Sequence, residues 1–151
     1  MRRKDREITD RADIGAIVNE ATVCRIALAD GGEPYIVPLS FGYEDGSIYL
    51  HSAPEGKKIA MLGKNPRCCF EVDICDQVIW SEKPCSWGMR YRSVIGYGRA
   101  EILNNAEEKR HGLTCIMRHY GGGTHEFSEH DLGSVVVIRI TVESMTGKKH
   151  D

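Results

Sequence analysis

The sequence predicts one domain built on a mostly antiparallel β-barrel, with helices packed outside the barrel. Six segments have the length and alternation of β-strands, whereas three segments show helical periodicity. So few helices cannot supply the long crossovers of a parallel sheet. The chain has 151 residues, 41% of them hydrophobic, which suffices for a single core. We therefore interpret residues 1–151 as one domain.

The predicted order begins with a short amphipathic helix followed by three strands. The helix covers residues 10–21, with Thr9 or Asp10 as its N-cap, because four apolar positions recur at helical spacing. Those positions are Ile14, Ile17, Val18 and Ala21. Strands over 23–29, 35–43 and Ser47–Ser52 are separated by turns rich in Asp and Gly, which predicts a meander.

The second of these strands has two unlike faces. One face carries larger side chains, and the other is small and smooth. The first set is Tyr35, Val37, Leu39, Phe41 and Tyr43, and the second is Ile36, Pro38, Ser40 and Gly42. Proline lacks a backbone N–H, so Pro38 predicts an edge strand or a bulge.

A short helix over 57–62, stopped by Gly63 and by Pro66 beyond it, comes next. A strand from Arg67 continues towards Trp80, with Cys68 in the core.

The chain then forms a strand over 91–103, in which Gly96 and Gly98 predict a bend, a bulge or a close approach. Asn105 caps the third helix, and a last strand covers 134–144. The third helix's predicted buried stripe is Leu113, Ile116, Met117 and Tyr120, and the last strand's inward residues are Val136, Ile138, Ile140 and Val142.

Charge and cysteine content exclude several classes. The net charge of −2 and the pI near 6.3 argue against a nucleic-acid partner. No apolar run is long enough to span a bilayer, and no signal peptide is visible, so we expect a soluble, cytoplasmic protein without a membrane partner. The six cysteines are then reduced thiols. No CxxC pair exists, and the spacings of His119, His125 and His130 do not share one helix face, so we expect no metal site.

The sequence lacks the common nucleotide-binding and serine hydrolase motifs. The phosphate-loop pattern would need glycine at His51 or Val142, and the stretch after Gly96 lacks the third glycine of a dinucleotide fingerprint. The GxSxG motif of serine hydrolases is also absent.

A candidate phosphate site remains where a strand ends at Ser52 and a helix begins with Lys57 and Lys58. Lysines in the first turn of a helix are electrostatically unfavourable, because their positive charges lie at the positive end of the helix dipole. A bound anion there would make both interactions favourable. Free N–H groups and two ammonium groups suit a terminal phosphate. Solvated surface lysines are the alternative interpretation.

A second cluster, residues 87–98, places aromatic, arginine and serine side chains at the start of a glycine-containing strand. These residues could line a planar, phosphorylated ligand. An edge strand whose aromatic residues pack on the barrel is the alternative.

Seven segments, spread in order along nearly the whole chain, resemble flavin-binding split β-barrel proteins related to pyridoxamine 5′-phosphate oxidase. The closest resemblance is to the 5-nitroimidazole-resistance branch of that group. The segments are MRRKDRE (1–7), PYIVPLSFGY (34–43), IYLHSAPEGKKI (48–59), NP (65–66), CFEVD (69–73), YRSVIGYGRA (91–100) and MTGK (145–148).

The resemblance implies a six-stranded antiparallel split barrel and a homodimer with FMN at the subunit interface. By position, the resemblance assigns two groups of residues to the flavin. In the first group, the residues of strand 35–43 would border the flavin ring, His51 and Ser52 would lie at the ribityl and phosphate end, and the two lysines would hold the phosphate. The second group would belong to another flavin-contacting strand or would wall the pocket from the other subunit. The first group is Val37, Pro38, Leu39, Ser40, His51, Ser52, Lys57 and Lys58; the second is Trp87, Tyr91, Arg92 and Ser93.

The implied activity is reduction of nitroheterocycles or related small molecules, with NAD(P)H or another reductant recharging the flavin. Lys57-Lys58 stands where the broader oxidases usually carry an Arg-Lys pair. The residues that hold the vitamer phosphate in those oxidases are not located, so oxidation of that vitamer is not expected. His51 is the candidate catalytic proton donor, or it only closes a strand end. The alternative function is a flavin- or haem-binding sensor or carrier without substantial turnover, and a zinc-binding domain is a third option.

Overall fold

A computed structural model describes residues 3–123 and 125–150 of the chain. These residues form one eight-stranded antiparallel sheet with four α-helices. The strands are β1 (Glu7–Ile8), β2 (Cys24–Asp30), β3 (Glu33–Leu39), β4 (Phe41–Glu44), β5 (Ser47–Ser52), β6 (Arg67–Ile79), β7 (Gly88–Leu103) and β8 (Val136–His150). The helices are α1 (Arg11–Glu20), α2 (Lys57–Lys64), α3 (Ala106–His119) and α4 (Glu129–Ser134). The mainly antiparallel barrel predicted from the sequence is confirmed.

The sheet closes because two strands that follow each other in sequence lie at its opposite edges. The strand order is β3-β2-β6-β7-β8-β5-β4, with β1 paired to β8. Only Ser40 separates β3 from β4, so the sheet must curl until its edges meet.

The predicted strand 35–43 is therefore two strands, and the predicted three-strand meander is wrong at this point. β3 pairs with β2, whereas β4 pairs with β5, because the chain changes edge at Ser40. This division and the two-residue strand β1 account for eight strands where the sequence predicted six. Pro38 lies on an edge strand, as predicted, since β3 has β2 as its partner and no second one on the sheet path.

Apolar side chains fill the inside of the curled sheet. Phe41 and Phe70 are fully buried, and the described residues include no buried polar or charged residue. The inward set of β8 is confirmed, with Ile138 and Ile140 fully buried and Val136 and Val142 packed at the margin of the core.

The helices α1 and α3 form as the sequence predicts, because each has a side-chain cap. The Asp10 carboxylate accepts hydrogen bonds from the Ala12 and Asp13 N–H groups at 2.8 and 3.1 Å. The Asn105 side chain likewise accepts two bonds from the first turn of α3.

Several boundaries differ from the prediction. The helix α2 continues through Gly63 to Lys64, since a single exposed glycine weakens a helix without ending it. Residues 129–134 form α4, closed by a capping box between Ser128 and Asp131, and β8 begins after it.

The predicted buried stripe of α3 is correct only in part, because Met117 and Tyr120 are 37% and 44% exposed. The phenol of Tyr120 instead links the α1–β2 loop to the start of β4, donating to the Thr22 carbonyl and accepting from the Phe41 N–H.

Glycines allow close contacts at the barrel wall. A Cβ on Gly96 would lie 2.2 Å from the Phe70 ring, and β7 has a register shift between Tyr97 and Gly98, so the predicted bulge and close approach are both present. A Cβ on Gly42 would lie 2.6 Å from the backbone of Cys115, where α3 crosses β4.

All six cysteines are free, and Cys68 is buried as predicted. None of the helices in the described part of the chain has both the length and the apolar character needed to cross a membrane.

Gly42→Ala is expected to lower the free energy of unfolding by about 2 kcal/mol, because the new methyl group meets a rigid helix backbone. Gly63→Ala is the matched control, since nothing lies within 4 Å of its added Cβ, and it should be neutral or stabilise by up to about 1 kcal/mol. Urea denaturation of both variants measures the difference, and equal midpoints would show that α3 does not pack this closely on β4.

Candidate functional site

The first group of predicted residues meets where the two edges of the sheet come together. Phe41 pairs with Leu50 in the antiparallel strands β4 and β5. Ser40, just before Phe41, and His51, just after Leu50, therefore lie at the same end of this strand pair. The chain from Ser52 reaches α2 within four residues. We call this region, made of residues 37–40, His51, Ser52, Lys57 and Lys58, the seam site.

Contacts of Lys57 fix the start of α2 against β3. Its ammonium nitrogen lies 3.2 Å from a carboxylate oxygen of Glu33 and 5.0 Å from the centre of the Tyr35 ring. The structure therefore brings Lys57 beside the strand that carries Val37, Pro38 and Leu39.

The N-terminus of α2 is electrostatically suited to an anion. Its N-cap is Gly56, at φ 128°, which offers no side-chain oxygen, and its first turn has no acidic residue. The first-turn N–H groups thus have no side-chain acceptor. Lys58 is half-buried, and burial lowers the pKa of its ammonium group. A phosphate here would receive N–H bonds and two positive charges, so the residues present fit the phosphate of a flavin nucleotide.

The side chains of His51 and Ser52 differ in access. His51 is exposed, whereas Ser52 is half-buried. Both belong to β5, where they pair with Val137 and Val136 of β8. The rigid sheet therefore presents the imidazole to solvent at the seam site, free to meet a bound molecule.

The second group of predicted residues lies elsewhere on the sheet, and a single chain does not bring the two groups together. Pro38 pairs with Arg25, Arg25 with Glu71, and Glu71 with Ile95, so three strand spacings, about 14 Å, separate Pro38 from β7. Ser93 lies two residues further along β7. We call the segment of β7 from Tyr91 to Ser93 the β7 site.

Arg92 and Ser93 face opposite sides of the sheet, because side chains alternate along a strand. The guanidinium of Arg92 makes two hydrogen bonds to Glu20, at 2.8 and 2.9 Å, which raise its pKa. It also lines a cavity of about 420 Å³ between α1 and the end of the sheet. Ser93 is left on the outer surface.

Trp87 lies on an arm formed where β6 and β7 extend beyond the other strands. Its ring meets that of Trp80 edge to face at 4.5 Å, and its indole N–H donates to the Ser81 carbonyl. Both rings are more than half exposed, at 68% for Trp80 and 51% for Trp87. This aromatic pair is available to a neighbouring molecule.

The outer surface of strands β3, β2, β6, β7 and β8, which we call the outer face, carries exposed apolar side chains. Ile36, Ile95 and Tyr97 are 62%, 46% and 48% exposed. The cross-strand row from Ile36 to Tyr97 passes through Ala27 and Cys69, so apolar groups continue across the face. An apolar sheet surface of this kind is typical of an interface.

Sequence reasoning missed an ion-pair cluster on this face. Arg25 lies opposite Pro38 and contacts the carboxylates of Asp73 and Glu71 at 2.5 and 3.1 Å. Burial raises the pKa of Glu71, whereas the Cys75 thiol and then Arg25 lower that of Asp73. The alternation of β2, with Cys24 and Ile26 buried, was the signal that Arg25 points outward.

The histidines considered for a metal lie in different surroundings. His119 bonds the Ala21 carbonyl at 2.7 Å and contacts the Phe41 ring, while His125 and His130 are exposed near α4. Across residues 3–123 and 125–150, no group of three or more His, Cys, Asp or Glu side chains is arranged to hold a metal ion.

Comparison with solved structures agrees with this geometry. The chain is similar to a candidate 5-nitroimidazole antibiotic resistance protein from Bacteroides thetaiotaomicron VPI-5482, at 38% identity over 94% of this chain and 85% of that one, with a TM-score of 0.85. An FAD-binding protein from Mesorhizobium loti shares 26% identity over 95% and 96% of the two chains, with a TM-score of 0.71.

The flavocytochrome Anf3 from Azotobacter vinelandii has the same fold, at 18% identity over 100% of this chain and 72% of that one, with a TM-score of 0.87. No protein of curated function matches the chain significantly. A family model described as pyridoxamine 5′-phosphate oxidase matches residues 10–149. The fold, the site and this match together assign the chain to a family: it belongs to the pyridoxamine 5′-phosphate oxidase family of split β-barrel proteins.

Proposed function

We propose that this protein is an FMN-dependent reductase of nitroheterocyclic or related small molecules. The observation that carries the proposal is the seam site, where an uncapped helix N-terminus and two lysines adjoin an edge strand and an exposed histidine. The name of the 38% identical protein from Bacteroides supports the nitroimidazole class of substrate. The family and the FAD-binding protein from Mesorhizobium support a flavin.

We further propose that the working form is a homodimer with FMN at the subunit interface. The barrel interior is filled by side chains, so a flavin has to lie on the outside. The seam site and the β7 site are separated in one chain, and the part of the outer face between them carries the Arg25 ion-pair cluster beside the apolar row from Ile36 to Tyr97. A second copy packed on that face would bring its β7 site against the seam site of the first. The cytoplasmic location stays a prediction from the sequence.

When bound, FMN would supply the redox chemistry. Lys57, Lys58 and the first-turn N–H groups of α2 would hold its phosphate, while residues 37–40 would border the ring. The outer face would exclude water once it is covered. The exposed imidazole of His51 would donate a proton to the molecule being reduced, with NAD(P)H or another reductant restoring the flavin.

Turnover separates a reductase from a flavin- or haem-binding carrier. The purified protein should carry flavin absorbance bands, be bleached by NAD(P)H, and be reoxidised by a nitroimidazole faster than free FMN. His51→Asn should lower nitroimidazole reduction by about 100-fold while FMN affinity changes much less, because proton donation is lost and the phosphate contacts remain. The exposed His130 gives the matched control, His130→Asn. Reoxidation by the nitroimidazole no faster than with free FMN would refute the reductase. Full activity of His51→Asn would show that His51 is not the proton donor and only closes the strand end.

Replacing Lys57 and Lys58 together by alanine should weaken FMN binding at least about tenfold, because charge-assisted hydrogen bonds to the phosphate are lost. The apoprotein should keep its thermal stability, since lysines at a helix N-terminus oppose the dipole and the Lys57–Glu33 ion pair is exposed. Flavin fluorescence titration and thermal unfolding measure the two effects. Lys64→Ala, at the other end of α2, is the control, and equal FMN affinity in the double variant would remove the phosphate assignment.

A further inference from the structure

Three segments far apart in sequence meet at one end of the sheet. The strand β1 pairs with β8, with Glu7 opposite Lys148, and β8 pairs with β7, with Ser93 opposite the same Lys148. A Cβ on Gly147 would lie 2.8 Å from that of Ile8, so glycine is needed for β1 to approach. The N-terminal and C-terminal segments are thereby held beside the β7 site.

Arg6, Tyr91 and Lys148 form a cluster at this meeting point. The ammonium nitrogen of Lys148 lies 5.7 Å from the centre of the Tyr91 ring, and all three side chains are half-buried. Hydrogen bonding from Lys148 and then Arg6 lowers the pKa of the Tyr91 phenol. Two positive charges thus converge on one hydroxyl group.

No carboxylate of residues 3–123 or 125–150 forms an ion pair with Arg6 or Lys148, although Asp5 and Glu7 are sequence neighbours of Arg6. Two nearby arginines, by contrast, do form ion pairs with carboxylates. Arg3 pairs with Asp5 at 2.6 Å, and Arg92 pairs with Glu20 at 2.8 Å.

Two half-buried cations held around one phenol repel each other unless an anion joins them. The guanidinium of Arg6 and the ammonium of Lys148 are donors only, and the Tyr91 hydroxyl can add a third donor. This donor set suits the oxygens of a phosphate, which accept charge-assisted hydrogen bonds. The adjacent Ser93 hydroxyl is within the same patch of the outer face.

We propose that Arg6, Tyr91 and Lys148 form a binding site for a phosphate group of a ligand that reaches the flavin. The site lies apart from the lysines of α2, and its role at the flavin rests on the proposed function. Two sources share this chemistry: the pyrophosphate of a dinucleotide electron donor, and the second phosphate of a flavin bound as FAD.

A direct test needs no flavin and no turnover. The ionisation of Tyr91 is followed by ultraviolet absorbance against pH in the full chain, with Tyr91→Phe identifying its contribution. Inorganic pyrophosphate should raise the pKa of Tyr91, because the bound anion offsets the two cations that lower it. The groups surrounding the phenol are Arg3, Arg6, Cys75, Lys148 and His150. An unchanged titration, or an equal change in Arg6→Gln/Lys148→Gln, would overturn the site.

Kinetics then identify the source of the phosphate. If the ligand is the donor, Arg6→Gln/Lys148→Gln should raise the KM for NADH or NADPH at least about tenfold and leave that for the phosphate-free 1-benzyl-1,4-dihydronicotinamide unchanged. If the ligand is the flavin, the affinity for FAD falls instead, while the affinity for FMN stays unchanged because the lysines of α2 hold its one phosphate. Lys4→Gln/Lys64→Gln, which alters two exposed cations, is the matched control. Unchanged values for both the donors and FAD would contradict the proposal even in an active flavoprotein.

Discussion

The crossing of the chain at Ser40 is the constraint on which the rest of the structure depends. One residue joins β3 and β4, yet they occupy opposite edges of a seven-strand path. The sheet can satisfy both only by curling, and its interior is then filled by Phe41, Phe70 and the other fully buried side chains. A flavin would find no space inside, so the proposed chemistry would take place on the outer surface.

Closure also explains why the candidate site is divided. The seam site forms where the two edges meet, and it gathers an edge strand without a second partner, an exposed histidine and the start of α2. The β7 site lies three strands away, across a surface where the Arg25 ion-pair cluster adjoins a row of apolar side chains. In the proposed dimer, a second copy would bring its β7 site against the seam site of the first.

Much of the fold could be predicted because its signals are local. Asp10 and Asn105 cap their helices through bonds within three residues, and alternating apolar side chains identify β6 and β8. The division at Ser40 could not be predicted, since it depends on which strands pair across the barrel. The same holds for the site: Lys57 and Lys58 stand out by their spacing, whereas the clusters around Arg25 and around Tyr91 exist only through pairing between distant strands.

The central claim is that one flavin site takes residues from two chains, and subunit complementation tests it most directly. Two variants are made, Lys57→Ala/Lys58→Ala and Ser93→Trp, each impaired at a different half of the site. Co-expressed with different tags and isolated as the mixed dimer, they should recover FMN binding at one of the two sites, because one interface then has both halves intact. A mixed dimer that binds no more FMN than either parent, or a monomer that binds FMN at full affinity, would contradict the account.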